Sequence, residues 1–100
     1  MAKQIIWTSN AIQDQLQILE YWSGVIGNNN YSKYLNKSFN ETINTISQFP
    51  EIGRIYKDMQ LRYMVKENYL IFYNYNEINV FILGIFDSRR NPKLLNKKYK

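Results

Sequence analysis

The chain has 100 residues, a length that fits a single domain (residues 1–100) with one modest core. It contains no cysteine and no histidine, which excludes disulfides, thiolate metal sites and the most common acid–base group at neutral pH. All of the net charge of +5 lies in the second half: residues 1–50 carry three basic and three acidic side chains, and residues 51–100 carry ten and five. A segregated basic surface favours a polyanion or an acidic protein as partner, and a solvated basic tail is the simpler alternative.

Nothing in the sequence predicts contact with a membrane. No stretch approaches the ~20 apolar residues that a membrane-spanning helix needs. The first residues run directly into a strand-like segment and lack the apolar centre of a signal peptide. We therefore expect a cytoplasmic protein.

The first 30 residues predict one short strand and one amphipathic helix. Residues 3–8 carry β-forming side chains, and Thr8 or Ser9 then offers an oxygen that can cap the helix. Gly and Asn residues at 24–30 end this helix. The apolar residues that recur at helical spacing, and that we expect to face the core, are Ile12, Leu16, Ile18, Leu19, Tyr21, Trp22 and Val25.

A second amphipathic helix follows, with Asn30 as its predicted cap and Pro50 as its stop. Its apolar ridge consists of Leu35, Phe39, Ile43, Ile46 and Phe49. The two helices form an antiparallel pair that still has an apolar face to bury.

Three strands are predicted in the second half, at 61–66, 69–75 and 78–86, with tight turns at 67–68 and 76–77. The last strand is nearly continuous in apolar residues, which places it in the interior of the sheet. The sequence therefore predicts an α+β fold of order β-α-α-β-β-β, in which two antiparallel helices pack on a mostly antiparallel four-stranded sheet.

Most aromatic residues fit core positions in this fold: Trp7, Trp22, Phe39, Phe49, Phe72 and Phe81. Tyr63, Tyr73 and Tyr75 stand at alternating strand positions and admit two interpretations. They are core residues with satisfied hydroxyls, or they line one sheet face as a stacking platform for nucleotides.

Five basic side chains come from three neighbouring segments: Arg54 and Lys57 before the predicted sheet, Arg62 within a strand, and Arg89-Arg90 after the last strand. They could converge on one patch that binds phosphate or carboxylate, or lie on a solvated face. No common catalytic motif, metal-ligand set or cofactor motif is present, so an enzyme built from this sequence would have to use Lys, Arg and Tyr.

Taken in order, the motifs resemble the RelE/ParE superfamily, the toxin components of bacterial type II toxin–antitoxin modules. The resemblance covers residues 4–92 and implies a microbial-RNase-like α+β fold and a cognate antitoxin that forms a hetero-oligomer with the toxin. It rests on Trp7-Thr8, Tyr21-Trp22, Phe49-Pro50-Glu51-Ile52-Gly53-Arg54, Leu61-Arg62, Tyr69-Leu70-Ile71-Phe72-Tyr73 and Asp87-Ser88-Arg89-Arg90-Asn91-Pro92.

The superfamily divides by target, and the sequence favours the ParE-like side, whose members poison DNA gyrase. RelE-like members cut mRNA in the ribosome and typically carry an arginine where this chain has Leu70, whereas the Leu61-Arg62 step resembles ParE-like sequences. An inactive domain that binds only the antitoxin is a third possibility.

The two leading functions use different candidate residues. For a ParE-like toxin the candidate target-binding residues are the basic side chains Arg54, Arg62, Arg89, Arg90 and Lys93. In an mRNA endonuclease Arg62 and Arg89 would stabilise phosphate charge, and Lys57 or Tyr73 would move the proton. Arg89 and Arg90 could instead be structural and pair with Asp87 or Glu51.

Overall fold

The computed structural model describes residues 2–89, apart from the side chains of residues 58 and 59. The elements in chain order are β1 (Gln4–Trp7), α1 (Ser9–Ile26), α2 (Asn30–Gln48), a 3₁₀ turn (Pro50–Ile52), β2 (Arg54–Tyr56), β3 (Asp58–Lys66), β4 (Tyr69–Tyr75) and β5 (Asn79–Asp87). The α+β class and the helix pair are confirmed. The sheet has five strands rather than the predicted four, because β2 is only three residues long and gives no periodic signal.

The strands lie in the order β1-β5-β4-β3-β2. β1 runs parallel to β5, and the other neighbours are antiparallel. Because β5 lies between β1 and β4, both of its backbone edges are paired, and the prediction that this apolar strand is internal is confirmed. No helix within residues 2–89 is long and apolar enough to cross a membrane.

Thr8 joins the first helix to the sheet. Its hydroxyl accepts a hydrogen bond from the Ala11 amide at 3.2 Å and donates to the Ile82 carbonyl at 2.8 Å. The N-cap is therefore Thr8, one of the two predicted candidates. In the second helix the predicted cap is wrong: Asn30 is the first helical residue, and its amide donates to the side chain of Asn28.

The ridge of α2 fills the core as predicted, except at its end. Its residues Leu35, Phe39, Ile43 and Ile46 are buried against sheet residues that include Ile71, Tyr73, Val80 and Ile82. Phe49, by contrast, is 61% exposed. The helix ends at Gln48, and the non-helical backbone of Phe49 (φ −133°, ψ 72°) takes its side chain off the ridge.

The predicted core stripe of α1 is only partly correct. Ile12 and Leu16 are 52% and 54% exposed, and Tyr21 and Val25 are exposed as well. The helix instead meets the core through Ala11, Ile18, Leu19 and Trp22.

Two polar contacts favour the rotation of α1 about its axis that turns Ile12 and Leu16 outward and Ala11 and Ile18 toward the core. The Asp14 carboxylate accepts a hydrogen bond from the Ile85 amide at 3.0 Å, and the Gln15 side chain donates to Asn36 at 2.7 Å. Each contact turns a polar residue toward a neighbouring element, and the exposed apolar stripe lies elsewhere on the helix.

A second apolar cluster lies on the sheet face opposite the helices. Phe72 and Phe86 are buried there, and partly buried Tyr56, Leu61, Tyr63, Leu70 and Leu83 pack against them. Tyr73 and Tyr75 belong to the helix-side core, so the three tyrosines at alternating positions do not share a face. The stacking-platform interpretation is wrong, and Tyr73 is a core residue.

We expect Ile43→Ala to lower the free energy of unfolding by about 2–5 kcal/mol, because a fully packed site cannot collapse around the missing atoms. The matched change Ile12→Ala on the exposed stripe should cost less than about 1 kcal/mol. Denaturant titration of both variants measures the difference. Equal losses would contradict the described rotation of α1.

Candidate functional site

A buried tyrosine holds the turn that connects α2 to the sheet. The Tyr73 hydroxyl donates to the Pro50 carbonyl at 2.7 Å and accepts a hydrogen bond from the Gly53 amide at 2.8 Å. The side chain is fully buried. Burial raises the pKa of Tyr73 above its ordinary value, partly offset by the Gly53 amide and the Arg62 charge, so the phenol stays protonated at neutral pH.

Arg62 is the cross-strand neighbour of Tyr73 in the β3–β4 pair, and its side chain binds the same turn. Its Nη1 donates to the carbonyls of Glu51 and Gly53, at 3.1 and 2.9 Å. Its Nε is buried without an acceptor, a cost of about 1–3 kcal/mol. We call the four hydrogen bonds between the side chains of Tyr73 and Arg62 and the backbone of residues 50–53 the clamp.

Gly53 is required by the closeness of this contact. A Cβ at this position would overlap the Tyr73 hydroxyl and would lie 2.7 Å from the Tyr73 ring carbon Cε1 and 2.9 Å from the Tyr63 carbonyl. Its φ of −73° is open to any residue, so the constraint is space and not backbone conformation. The Pro50-x-x-Gly53 spacing thus has a physical reason: proline occupies the first position of the 3₁₀ turn and glycine lets that turn dock on the sheet.

The segment that follows the clamp carries two exposed cations. Arg54 begins β2 directly after Gly53, and Lys57 occupies the connection to β3 with a left-handed φ of 61°. That conformation costs a non-glycine residue roughly 1–2 kcal/mol. The Lys57 ammonium lies 5.4 Å from the centre of the Tyr56 ring. Neither cation forms an ion pair with any side chain that the structure describes.

Tyr56 anchors this segment to the second apolar cluster. Its ring meets the rings of Tyr63 and Phe72 edge-on, at centroid distances of 6.2 and 5.3 Å. Such pairs contribute about 0.5–1.5 kcal/mol each beyond the area they bury. The clamp therefore holds one end of the 50–57 segment, and the aromatic contacts hold the other.

Arg89 lies elsewhere and is engaged with its neighbours. Its guanidinium makes two hydrogen bonds to the Asp87 carboxylate, at 3.0 and 2.8 Å, and lies 5.7 Å from the centre of the Trp22 ring. The Asp87 hydrogen bonds raise the pKa of Arg89. The pairing with Asp87 that the sequence offered as a structural alternative is present, whereas Glu51 contacts Arg62 through its carbonyl only.

The basic segments do not form one patch among the described residues. Arg62 pairs across the sheet with Tyr73, whereas Asp87, the partner of Arg89, pairs with Tyr69. Residues 69 and 73 are four positions apart on one strand, about 13 Å. The other two predicted target-binding residues, Arg90 and Lys93, lie outside the described residues.

Comparison with known proteins places the chain in a family. Residues 5–92 match the family described as the ParE toxin of the type II toxin–antitoxin system parDE. The chain belongs to the ParE toxin family. The predicted membership of the RelE/ParE superfamily, on its ParE-like side, is confirmed.

A solved structure shows the same fold. The chain is similar to a chain of the chromosomal ParDE toxin–antitoxin system from P. aeruginosa, with a TM-score of 0.75 and 18% sequence identity. The match covers 86% of this chain and 96% of that one. No curated protein matches the sequence.

The sequence of this ParE-family chain indicates Arg62 and Tyr73 as candidate functional residues. It does not predict that both form hydrogen bonds with the backbone of the same turn. Two features of the sequence could have indicated this contact. The Pro50-x-x-Gly53 spacing is typical of a turn, and Arg62 and Tyr73 lie on predicted neighbouring strands, where they become cross-strand neighbours. Arg54 and Lys57 were selected as well, and the structure places them on the segment that the clamp holds.

We expect Tyr73→Phe to destabilise the protein by about 1–3 kcal/mol or more, because the Gly53 amide and the Pro50 carbonyl lose their buried partner. Tyr21→Phe, which removes the hydroxyl of an exposed tyrosine, should change stability by no more than about 0.5 kcal/mol. Denaturant unfolding of both variants measures the contrast. A Tyr73→Phe protein as stable as the Tyr21→Phe control would show that the clamp contributes little.

Proposed function

We propose that this chain is a growth-arresting toxin that binds and inhibits DNA gyrase in the cytoplasm and is neutralised by a cognate antitoxin. One observation carries the choice of a binding inhibitor over an mRNA endonuclease. Arg62, which the nuclease alternative uses for phosphate stabilisation, and Tyr73, one of its two candidates for proton transfer, are engaged with the chain's own backbone.

A general acid or base must reach the proton that it transfers, through a direct hydrogen bond or one water. The Tyr73 hydroxyl is fully buried and already makes two hydrogen bonds, so it is closed to a substrate in this conformation. Lys57 is exposed, but Arg89 is paired with Asp87 at a distant part of the sheet. The four residues of the nuclease set therefore do not surround a common point.

Family membership and Leu70 support the same choice. The chain resembles ParE-like toxins, which poison gyrase, and Leu70 stands where RelE-like nucleases carry an arginine.

We expect the purified chain to inhibit supercoiling by DNA gyrase, and its expression without antitoxin to arrest growth. Primer extension on those cells should show no cuts in codon register. Such cuts, lost in Arg62→Ala or Arg89→Ala, would make the ribosome-dependent endonuclease the correct function. Normal growth with abundant folded protein would instead support the inactive antitoxin-binding domain.

Exposed apolar side chains indicate where the antitoxin binds. Ile12 and Leu16 lie one turn apart on α1, and Ile5 and Ile6 are exposed on β1, which pairs with no described strand on its outer side. An amphipathic segment of the antitoxin laid across α1 and this sheet edge would cover them. Acidic residues in that segment would complement the net charge of +5.

We expect Ile12→Gln combined with Leu16→Gln to weaken antitoxin binding by at least about 10-fold, through the loss of two apolar contacts worth about 1–2 kcal/mol each. The control, Val65→Gln, changes another exposed apolar residue, on β3, which β4 and β5 separate from β1, and should leave affinity unchanged. Titration calorimetry measures both. An unchanged affinity of the α1 variant would place the antitoxin on another surface.

A further inference from the structure

Four of the five basic side chains of the described second half fall into two groups, and the fifth, Lys66, is half-buried. Arg62 and Arg89 are engaged, by backbone carbonyls and by Asp87 respectively. Arg54 and Lys57 are exposed, form no ion pair with a side chain that the structure describes, and lie on either side of Tyr56 in the segment that the clamp holds.

We propose that Arg62 and Tyr73 are positioning residues of the toxin: through Pro50–Gly53 they fix the direction in which Arg54 and Lys57 meet an acidic surface of the target protein. This inference rests on the proposed function and adds to it the surface that contacts the target. It also changes the role of Arg62 from the predicted contact with the target to a support for the contact.

β2 needs support beyond its own backbone pairing. The strand has three residues, and its register against β3 shifts between Ile55 and Tyr56. Such a short edge strand with an irregular ladder does not fix the direction of its side chains well. The clamp supplies the missing constraint immediately before Arg54, and Tyr56 supplies it immediately before Lys57.

The left-handed backbone of Lys57 is a second indication. A lysine in this conformation is held there by its surroundings, and such residues cluster at functional sites. Asparagine or glycine would adopt the same turn at lower cost but would bring no ammonium group.

The arrangement favours an acidic protein surface over nucleic acid as the partner. Bases would bind here by stacking on an open aromatic face. The Lys57 ammonium lies over the Tyr56 ring, and Tyr56 and Tyr63 meet edge-on. Residues 54–57 thus place the Lys57 ammonium over aromatic rings that pack on one another, an arrangement that suits carboxylates better than bases.

The positioning itself is tested without any target, from the amide chemical shifts of the labelled chain. Arg62→Lys keeps the charge but loses the planar fork that reaches both the Glu51 and Gly53 carbonyls. It should shift the amides of residues 50–57 and speed hydrogen exchange at the Gly53 amide. Lys66→Ala, on the same strand, should leave residues 50–57 unchanged. Amides at 50–57 that do not respond to Arg62→Lys would overturn the positioning role.

The link to the target is tested by a mutant cycle on growth inhibition, scored as the inducer dose for half-inhibition without antitoxin. Arg62→Lys should raise this dose at least several-fold, and Arg54→Ala with Lys57→Ala should raise it at least as much. In the Arg54→Ala/Lys57→Ala background, Arg62→Lys should add less than two-fold. An equal factor in both backgrounds would overturn the inference, because Arg62 would then act independently of the two cations.

Two further measurements complete the test. If Arg62→Lys does not fold, Tyr73→Phe takes its place in the cycle with the same expected result, since it weakens the clamp and changes no charge. Binding of the parent to duplex DNA alone that Arg54→Ala/Lys57→Ala abolishes would overturn the assignment to an acidic protein. A parent chain that arrests growth without inhibiting gyrase contradicts the proposed target only, and the cycle still decides the positioning.

Discussion

The hydroxyl of Tyr73 lies between the carbonyl of Pro50 and the amide of Gly53, and the path of the chain from α2 to the sheet edge depends on this contact. Pro50 begins the turn where α2 has ended, and Gly53 removes the Cβ that would meet the hydroxyl. Arg62, the cross-strand neighbour of Tyr73, adds two bonds to the same turn. Because the turn is docked at one place on the sheet, β2 begins at one defined point and its side chains face a defined direction.

The fold engages some of the basic side chains and leaves others exposed, so net charge alone does not identify the residues that can bind a partner. The net charge of +5 indicates a basic partner-binding half, but charge alone does not separate structural cations from available ones. Arg62 and Arg89 stabilise the chain's own backbone and its own carboxylate, whereas Arg54 and Lys57 remain exposed. A toxin that acts by binding needs few such groups if their direction is fixed, because pre-organised groups lose little freedom on association.

The long periodic elements could be predicted from the sequence because burial imposes their period. The ridge of α2 and the strands β4 and β5 follow this rule, and the family resemblance rested on motifs within or next to them. The face that α1 turns to the core could not be predicted. Its apolar residues cover more than one face, and the rotation that the structure shows goes with the contacts of Asp14 and Gln15 to distant residues.

The candidate site shows the same limit. Arg62 in an alternating strand looks like a solvated cation, and only the tertiary approach of residues 50–53 gives its guanidinium two backbone acceptors. β2 has three residues and is too short to carry a periodic pattern. The residue types of the site were therefore predictable, whereas which cations are engaged and which are exposed required the fold.

The close contact at Gly53 is the most direct test of this account, through the free energy of unfolding of Gly53→Ala in the parent and in Tyr73→Phe. In the parent the added methyl group meets the Tyr73 hydroxyl, and we expect a loss of about 1–3 kcal/mol or more. In Tyr73→Phe, which keeps the ring carbon Cε1 but lacks the oxygen that makes the shortest contact, the same substitution should cost at least about 0.5 kcal/mol less. Gly24→Ala in α1, where a Cβ meets nothing within 4 Å, should be neutral or slightly stabilising. A Gly53→Ala protein as stable as the parent, or a cost that is the same in both backgrounds, would contradict the clamp.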